Sequence, residues 1–176
     1  MRVVAGELRG RRLVAPSGSS TRPTADRVRE ALFSILGDVS GARVLDLFAG
    51  SGALGIEAVS RGAETAVFVD SSREAVDSIR TNLSTLCVEA AVHRRDVLVW
   101  LADPADKAPF DLIFADPPYD SAVRTGPLLA ERLPPVLTED ALIVTESDKR
   151  APLELPFPLV RERTYGDTRI AIHRNG

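Results

Sequence analysis

The sequence predicts an α/β fold: a mostly parallel sheet of seven strands, covered by helices on both faces and ending in an antiparallel hairpin. Three observations predict it. Short apolar runs near 43–48, 65–70, 91–95, 110–115 and 141–146 alternate with helical patterns near 53–61, 72–86, 97–102 and 121–133. A glycine turn, Gly50-Ser51-Gly52, follows the first run and opens a helix. The tail carries two more strand-like runs, 158–163 and 168–173, joined at Tyr165-Gly166-Asp167, a connection too short for a parallel crossover.

The elements follow in order. Residues 2–15 alternate weakly around Gly6 and Gly10 and are expected to form a small β-hairpin. Ser17-Gly18-Ser19-Ser20 reads as a flexible joint, which divides the chain into a basic arm with its linker (1–20) and a main domain (21–176). Pro23-Thr24 opens a helix whose Val28, Ala31, Leu32, Ile35 and Leu36 share one face, and Gly37 ends it. Val44 to Phe48 is the first strand of the alternating series, and Ile56-Glu57-Ala58-Val59 lies in the helix after its turn. The next runs end at Asp70 and Asp96, and Phe110–Ala115 delivers Asp116-Pro117-Pro118-Tyr119.

With 176 residues and 44% apolar composition, the chain can bury one sizeable core but cannot also hold a separate recognition domain. No apolar stretch approaches the ~20 residues of a membrane span, no signal-peptide core is present, and a single cysteine fits a reducing, cytoplasmic compartment. The net charge of −3 argues against a generally sticky polyanion binder, but the charge is unevenly spread. Residues 1–30 hold seven arginines against Glu7, Asp26 and Glu30, whereas residues 111–148 hold eight acids against Arg124 and Arg132. A basic arm beside an acidic catalytic face fits that asymmetry. Arginine is the default cation here, since Lys107 and Lys149 are the only lysines, so it is the clustering before residue 30 that counts.

The motifs specify the chemistry. Gly50, Gly52 and Gly55 match the dinucleotide fingerprint, a weak signal alone. Asp46, four residues before the turn, would repel a pyrophosphate and attract an ammonium near a sulfonium, which points to S-adenosylmethionine (SAM) rather than NAD. Asp70 stands where an acid binds ribose hydroxyls, and Asp96 is placed to accept from the adenine amine. Strand-end capping is the structural alternative for each of these acids. In the tetrapeptide, Asp116 offers a carboxylate, Pro117 and Pro118 leave carbonyls without a competing N–H, and Tyr119 offers a stacking face. Such acceptors grip an exocyclic amine and favour its pyramidal, reactive form. The cofactor set is therefore Asp46, Phe48, Gly50, Ser51, Gly52, Asp70, Ser71, Asp96 and Val97, with Asp116 shared between cofactor and target. The phosphate-facing set is Arg2, Arg9, Arg11, Arg12, Arg22 and Arg27.

Asp46–Gly55, Asp70, Asp96 and Asp116–Tyr119 together resemble the class I, Rossmann-like SAM-dependent amino-methyltransferases. The stretch Arg2–Leu13, the pattern Thr21-Arg22-Pro23-Thr24-Ala25-Asp26-Arg27-Val28-Arg29-Glu30-Ala31-Leu32-Phe33 and Tyr165-Gly166-Asp167-Thr168 narrow this to a resemblance to the RsmD family over essentially the whole chain. The resemblance implies methylation of N2 of one guanine in bacterial 16S ribosomal RNA, within an assembled or assembling small subunit, by a monomer that needs no metal. Adenine N6 is the alternative amine, since the grip serves either. An NAD-linked oxidoreductase lacks a plausible hydride-site His or Tyr-Lys pair, and an idle RNA-binding factor would not need an intact tetrapeptide. Cys87 and Trp100 are expected in the core, and His93 and His173 are too far apart in sequence, with no Cys cluster, to suggest a metal.

Overall fold

The structure, a computed structural model, describes residues 1–16, 26–103, 109–118 and 121–176. Its elements are α1 (Asp26–Leu36), β1 (Arg43–Leu47), α2 (Ala53–Ser60), β2 (Thr65–Asp70), α3 (Arg73–Leu86), β3 (Ala91–Arg94), α4 (Val97–Leu101), β4 (Phe110–Ala115), α5 (Ala122–Arg132), a 3-10 turn (Pro134–Val136), β5 (Leu137–Asp148), β6 (Leu159–Tyr165) and β7 (Thr168–Arg174). The sheet has seven strands in the order β3-β2-β1-β4-β5-β7-β6. Strands β1 to β5 are parallel, while β7 pairs antiparallel with both β5 and β6. The expected α/β class, the strand count and the terminal hairpin all hold. The chain reverses at Gly166, whose φ of 63 suits a two-residue connection.

Period-two alternation divides the core between the two faces. Val44, Phe68, Leu112, Phe114, Val144, Ile170 and Ile172 face α1, α2, α3 and the N-terminal segment. Leu45, Leu47, Val69, Ile113, Ala115 and Ile143 face α4 and α5. The fifth strand is twice as long as its apolar run 141–146 suggests, because Pro134-Pro135 closes a 3-10 turn that feeds straight into Leu137. No helix among the described residues is long and apolar enough to cross a membrane.

The N-terminal segment departs most from expectation. Its reversal is closed by one antiparallel bridge, Arg2 to Arg12, rather than by two extended strands. Nor is it a loosely tethered arm: Val3 and Leu13 are buried in the main core. The Glu57 carboxylate accepts from Val4 N–H at 2.7 Å and Ala5 N–H at 2.9 Å. Ser60 Oγ donates to the Ala5 carbonyl and accepts from Leu8 N–H, and the Ser60 carbonyl accepts from Glu7 N–H. Gly6 sits at φ 81, where an added Cβ would lie 1.7 Å from the Ser60 carbonyl oxygen. The segment is thus part of the globule, seated on α2. The joint at 17–20 and the start of the first helix at 23–25 lie outside the described residues.

Candidate active site

β1 ends at Leu47 because the backbone turns into the left-handed region. Phe48 has φ 57, Gly50 φ 56 and Gly52 φ 75. For a bulky residue such as Phe48 this costs about 1–3 kcal/mol, so the surrounding contacts must hold the turn. Gly52 N–H donates to the Ala49 carbonyl at 2.7 Å, Ala49 N–H to Val69 at 3.3 Å, and Gly50 N–H to the Asp70 carboxylate at 2.9 Å. An added Cβ on Gly55 would lie 2.4 Å from the Phe68 ring, so the third glycine serves close packing of α2 on the sheet.

The same alternation that builds the core places the acids. Two residues beyond the core positions Val44, Phe68, Phe114 and Val144 stand Asp46, Asp70, Asp116 and Glu146, all on one face at the carboxyl ends of the strands. Asp46 pairs in register with Phe68 and Phe114, and Phe114 with Val144. Asp70, Asp116 and Glu146 therefore reach one level of the sheet, with Asp46 one pleat beneath them. Four carboxylates from four neighbouring strands converge beside the glycine turn. Glu146 was not singled out in the sequence.

Their electrostatics favour a cation. Asp46 is only 3% exposed and accepts from Gly55 N–H at 2.9 Å. Burial pushes its carboxyl up to about 8; the Gly55 N–H opposes this and the charge of Asp70 adds to it. Burial also raises the Asp116 carboxyl well above its ordinary value, reinforced by the charges of Glu146 and then Asp46. Asp70 has both oxygens engaged, by Gly50 N–H at 2.9 Å and Ser72 N–H at 2.8 Å. Asp96 is exposed and caps α4 by accepting from Val99 N–H at 2.9 Å, with Val97 buried behind it; Ser71 is exposed beside Asp70. Pro117 is buried and Pro118 exposed, while Tyr119 lies outside the described residues. Among those residues no group of His, Cys, Asp and Glu side chains is arranged to hold a metal.

The phosphate-facing set is less uniform than its sequence clustering suggests. Arg2, Arg9, Arg12 and Arg27 are exposed, and Arg22 lies outside the described residues. Arg11 Nη2 donates to the Thr85 carbonyl at 2.8 Å, capping the end of α3. Arg29, also counted in the basic cluster, is fully buried between Asp26 at 3.0 Å and Glu57 at 3.5 Å. Sequence reasoning also missed Asn82. Its side chain is 1% exposed and ties the segment to the glycine turn, accepting from Val14 N–H at 2.8 Å and donating to the Val14 and Ser51 carbonyls at 2.9 Å.

Asp46→Asn separates the fold from the ligand. Oδ1 of asparagine still accepts from Gly55 N–H, but the buried charge is gone. A carboxyl raised from 3.8 to about 8 contributes stability that is fully present below pH ~4 and lost as pH rises through about 8. Thermal unfolding should therefore show the variant more stable than the parent by up to about 5 kcal/mol near pH 8 and little different below pH ~4. Calorimetric titration should show SAM affinity reduced roughly tenfold. Asp70→Ala should weaken SAM comparably, and unchanged affinity in both variants would refute the cofactor assignment.

Comparison with known proteins shows what the chain as a whole is similar to. The family model described as conserved hypothetical protein 95 matches residues 1–174. Ribosomal RNA small subunit methyltransferase D of Haemophilus influenzae is 35% identical, the match covering 99% of this chain and 94% of that protein. The protein of the same name from Escherichia coli K12 is 39% identical, covering 84% of this chain and 75% of that one. A solved structure from Thermus thermophilus, described as hypothetical protein TTHA0928, superposes with a TM-score of 0.85 at 32% identity, covering 98% of each chain. The chain belongs to the conserved hypothetical protein 95 family, the RsmD family.

Proposed function

We propose that this protein transfers a methyl group from SAM to the exocyclic N2 amine of a guanine in 16S ribosomal RNA. One observation carries the reading: a row of four carboxylates beside a glycine turn, joined on β4 to Asp116-Pro117-Pro118. The elevated proton affinity of Asp46 and Asp116 marks a place where positive charge is stabilised. SAM supplies an electrophilic methyl group on a sulfonium. Asp46 and Asp70, with the Phe48–Gly52 backbone, Ser71, Asp96 and Val97, form the set that would hold it. The target base is splayed out of its RNA context and stacked on Tyr119.

Asp116 and the Pro117 carbonyl accept the two N–H bonds of the amine, which pyramidalises the nitrogen and frees its lone pair. That pair forms the new N–C bond while the S–C pair stays on sulfur, and the nitrogen then sheds a proton. Asp116, raised in proton affinity by burial and by its acidic neighbours, is suited to receive it. The same shift sets a pH dependence. The acid limb of the kcat/KM profile should lie at higher pH than an ordinary carboxylate gives, because turnover needs Asp116 ionised.

The natural substrate in this reading is RNA within small ribosomal subunits in the cytoplasm, met by a monomer. Transfer of labelled methyl to naked 16S RNA and to assembled subunits, followed by digestion to nucleosides, tests it. Label in N6-methyladenosine, or in no nucleoside, overturns it. The exposed Arg9 and Arg12 should supply phosphate contacts, so their double alanine variant should flatten the log affinity versus log salt slope by about two. Arg11→Ala should in addition lower the unfolding temperature, because Arg11 caps α3. An unchanged slope in the double variant would place the RNA contacts elsewhere.

A further inference from the structure

Methyl transfer needs an amine grip, which Asp116 and Pro117 provide, and nothing in that step calls for a second carboxylate beside Asp116. Yet Glu146 is there. It is 7% exposed in β5, which pairs with β4 in parallel, and the register Ala115 to Thr145 puts Asp116 and Glu146 side by side on adjacent strands. Both side chains continue the face of Phe114 and Val144, and the charge of Glu146 is felt at Asp116 more strongly than that of Asp46. Two carboxylates on neighbouring strands offer adjacent acceptors, and a ligand that reads both must present two donors side by side.

The edge of a guanine supplies such a pair of donors. Its N2 amine and N1–H point the same way, one beside the other, and match two acceptors on neighbouring strands. Adenine beside its own amine presents N1 as an acceptor, which a carboxylate repels. We propose, on the basis of the methyl-transfer reading above, that Glu146 accepts the N1–H of the target guanine while Asp116 holds the N2 amine, so that Glu146 sets the choice of guanine over adenine. The tetrapeptide grip is indifferent between the two bases, and the residue beside it on β5 makes the distinction. Discrimination of this kind is strong because the wrong base leaves a buried acceptor facing a lone pair.

The test uses 2-aminopurine, which keeps the N2 amine but carries an unprotonated N1. Full-length 16S RNA is made by splinted ligation with guanosine or 2-aminopurine at the position that the parent protein methylates, and is offered naked and reconstituted into subunits. The parent should act on the 2-aminopurine RNA roughly a hundredfold less efficiently in kcat/KM. Glu146→Gln should lose efficiency on guanosine and gain it on 2-aminopurine, because the amide can donate to N1. The ratio should move toward unity. Equal rates on both RNAs with the parent would overturn the proposal, as would a Gln variant that slows both by the same factor. Should the Gln variant fail to fold, the parent comparison and Glu146→Asp, which keeps the preference while shortening the reach, still decide. Failure of the parent to methylate guanosine would instead strike at the methyl-transfer reading.

Discussion

Asp116→Ala is expected to lower single-turnover methyl transfer roughly 10²–10³-fold while leaving SAM affinity within a few-fold of the parent. In the proposed reaction the carboxylate belongs to the amine grip, so its contribution would appear when the nitrogen develops charge, and the cofactor would keep Asp46 and Asp70. The structure adds that the variant should not be less stable. Asp116 stands among acids, and burial together with the charges of Glu146 and Asp46 already disfavours its ionised form. Removing it relieves repulsion, so thermal unfolding at neutral pH should be unchanged or shifted upward. A loss of turnover accompanied by unfolding would mean that Asp116 is a fold determinant. Turnover within tenfold of the parent would mean that the grip lies elsewhere. Tyr119→Phe should retain far more activity than Tyr119→Ala, since stacking needs the ring and not the hydroxyl.

The strand-end acids were legible in sequence because they obey two local rules. Each follows an apolar run of strand length, and Asp46 and Asp116 adjoin turn chemistry that helices and plain hairpins do not use. The same rules explain what was missed. Glu146 sits inside Thr145-Glu146-Ser147-Asp148, which reads as the polar end of a strand; only the register of the preceding pair, Ala115 with Thr145, brings it beside Asp116. Asn82 and Glu57 lie on helices, where an isolated polar residue normally faces solvent, and both are buried by a segment more than fifty residues away in sequence. Gly6 and Gly10 suggested a hairpin correctly enough to predict a reversal. Its docking depends on the close approach of Gly6 to Ser60, which no local pattern encodes. Arginine clustering overstated the basic face for a related reason. Charge counted along the chain cannot distinguish exposed Arg9 and Arg12 from buried Arg29.

Glu57→Ala is expected to cost about 3–5 kcal/mol of stability, the range for breaking a buried ion pair from one side. Glu57 is completely buried and serves four groups: the Val4 and Ala5 amides, Arg29 at 3.5 Å, and Arg61 at 2.8 Å through the same Oε1 that meets Ala5, while its own position in α2 anchors the reversal. Without it the Arg29 guanidinium keeps Asp26, Met1 Sδ and the Arg2 carbonyl but stays buried with its charge only partly compensated. Two amide donors also lose their acceptor. Glu57→Gln should fall between, since its carbonyl oxygen still accepts from one amide. The effect should also be local. Hydrogen exchange at Val4, Ala5 and Leu8 should rise before exchange in β1 and β4, as the segment leaves α2 while the sheet persists. Gly6→Ala should mimic that opening without touching any charge, because its Cβ collides with the Ser60 carbonyl. If Glu57→Ala lowered stability by less than about 1 kcal/mol with those amides still protected, burial of Val3 and Leu13 would be what holds the segment. In that case Glu57 would be a passenger of the apolar contact rather than its anchor.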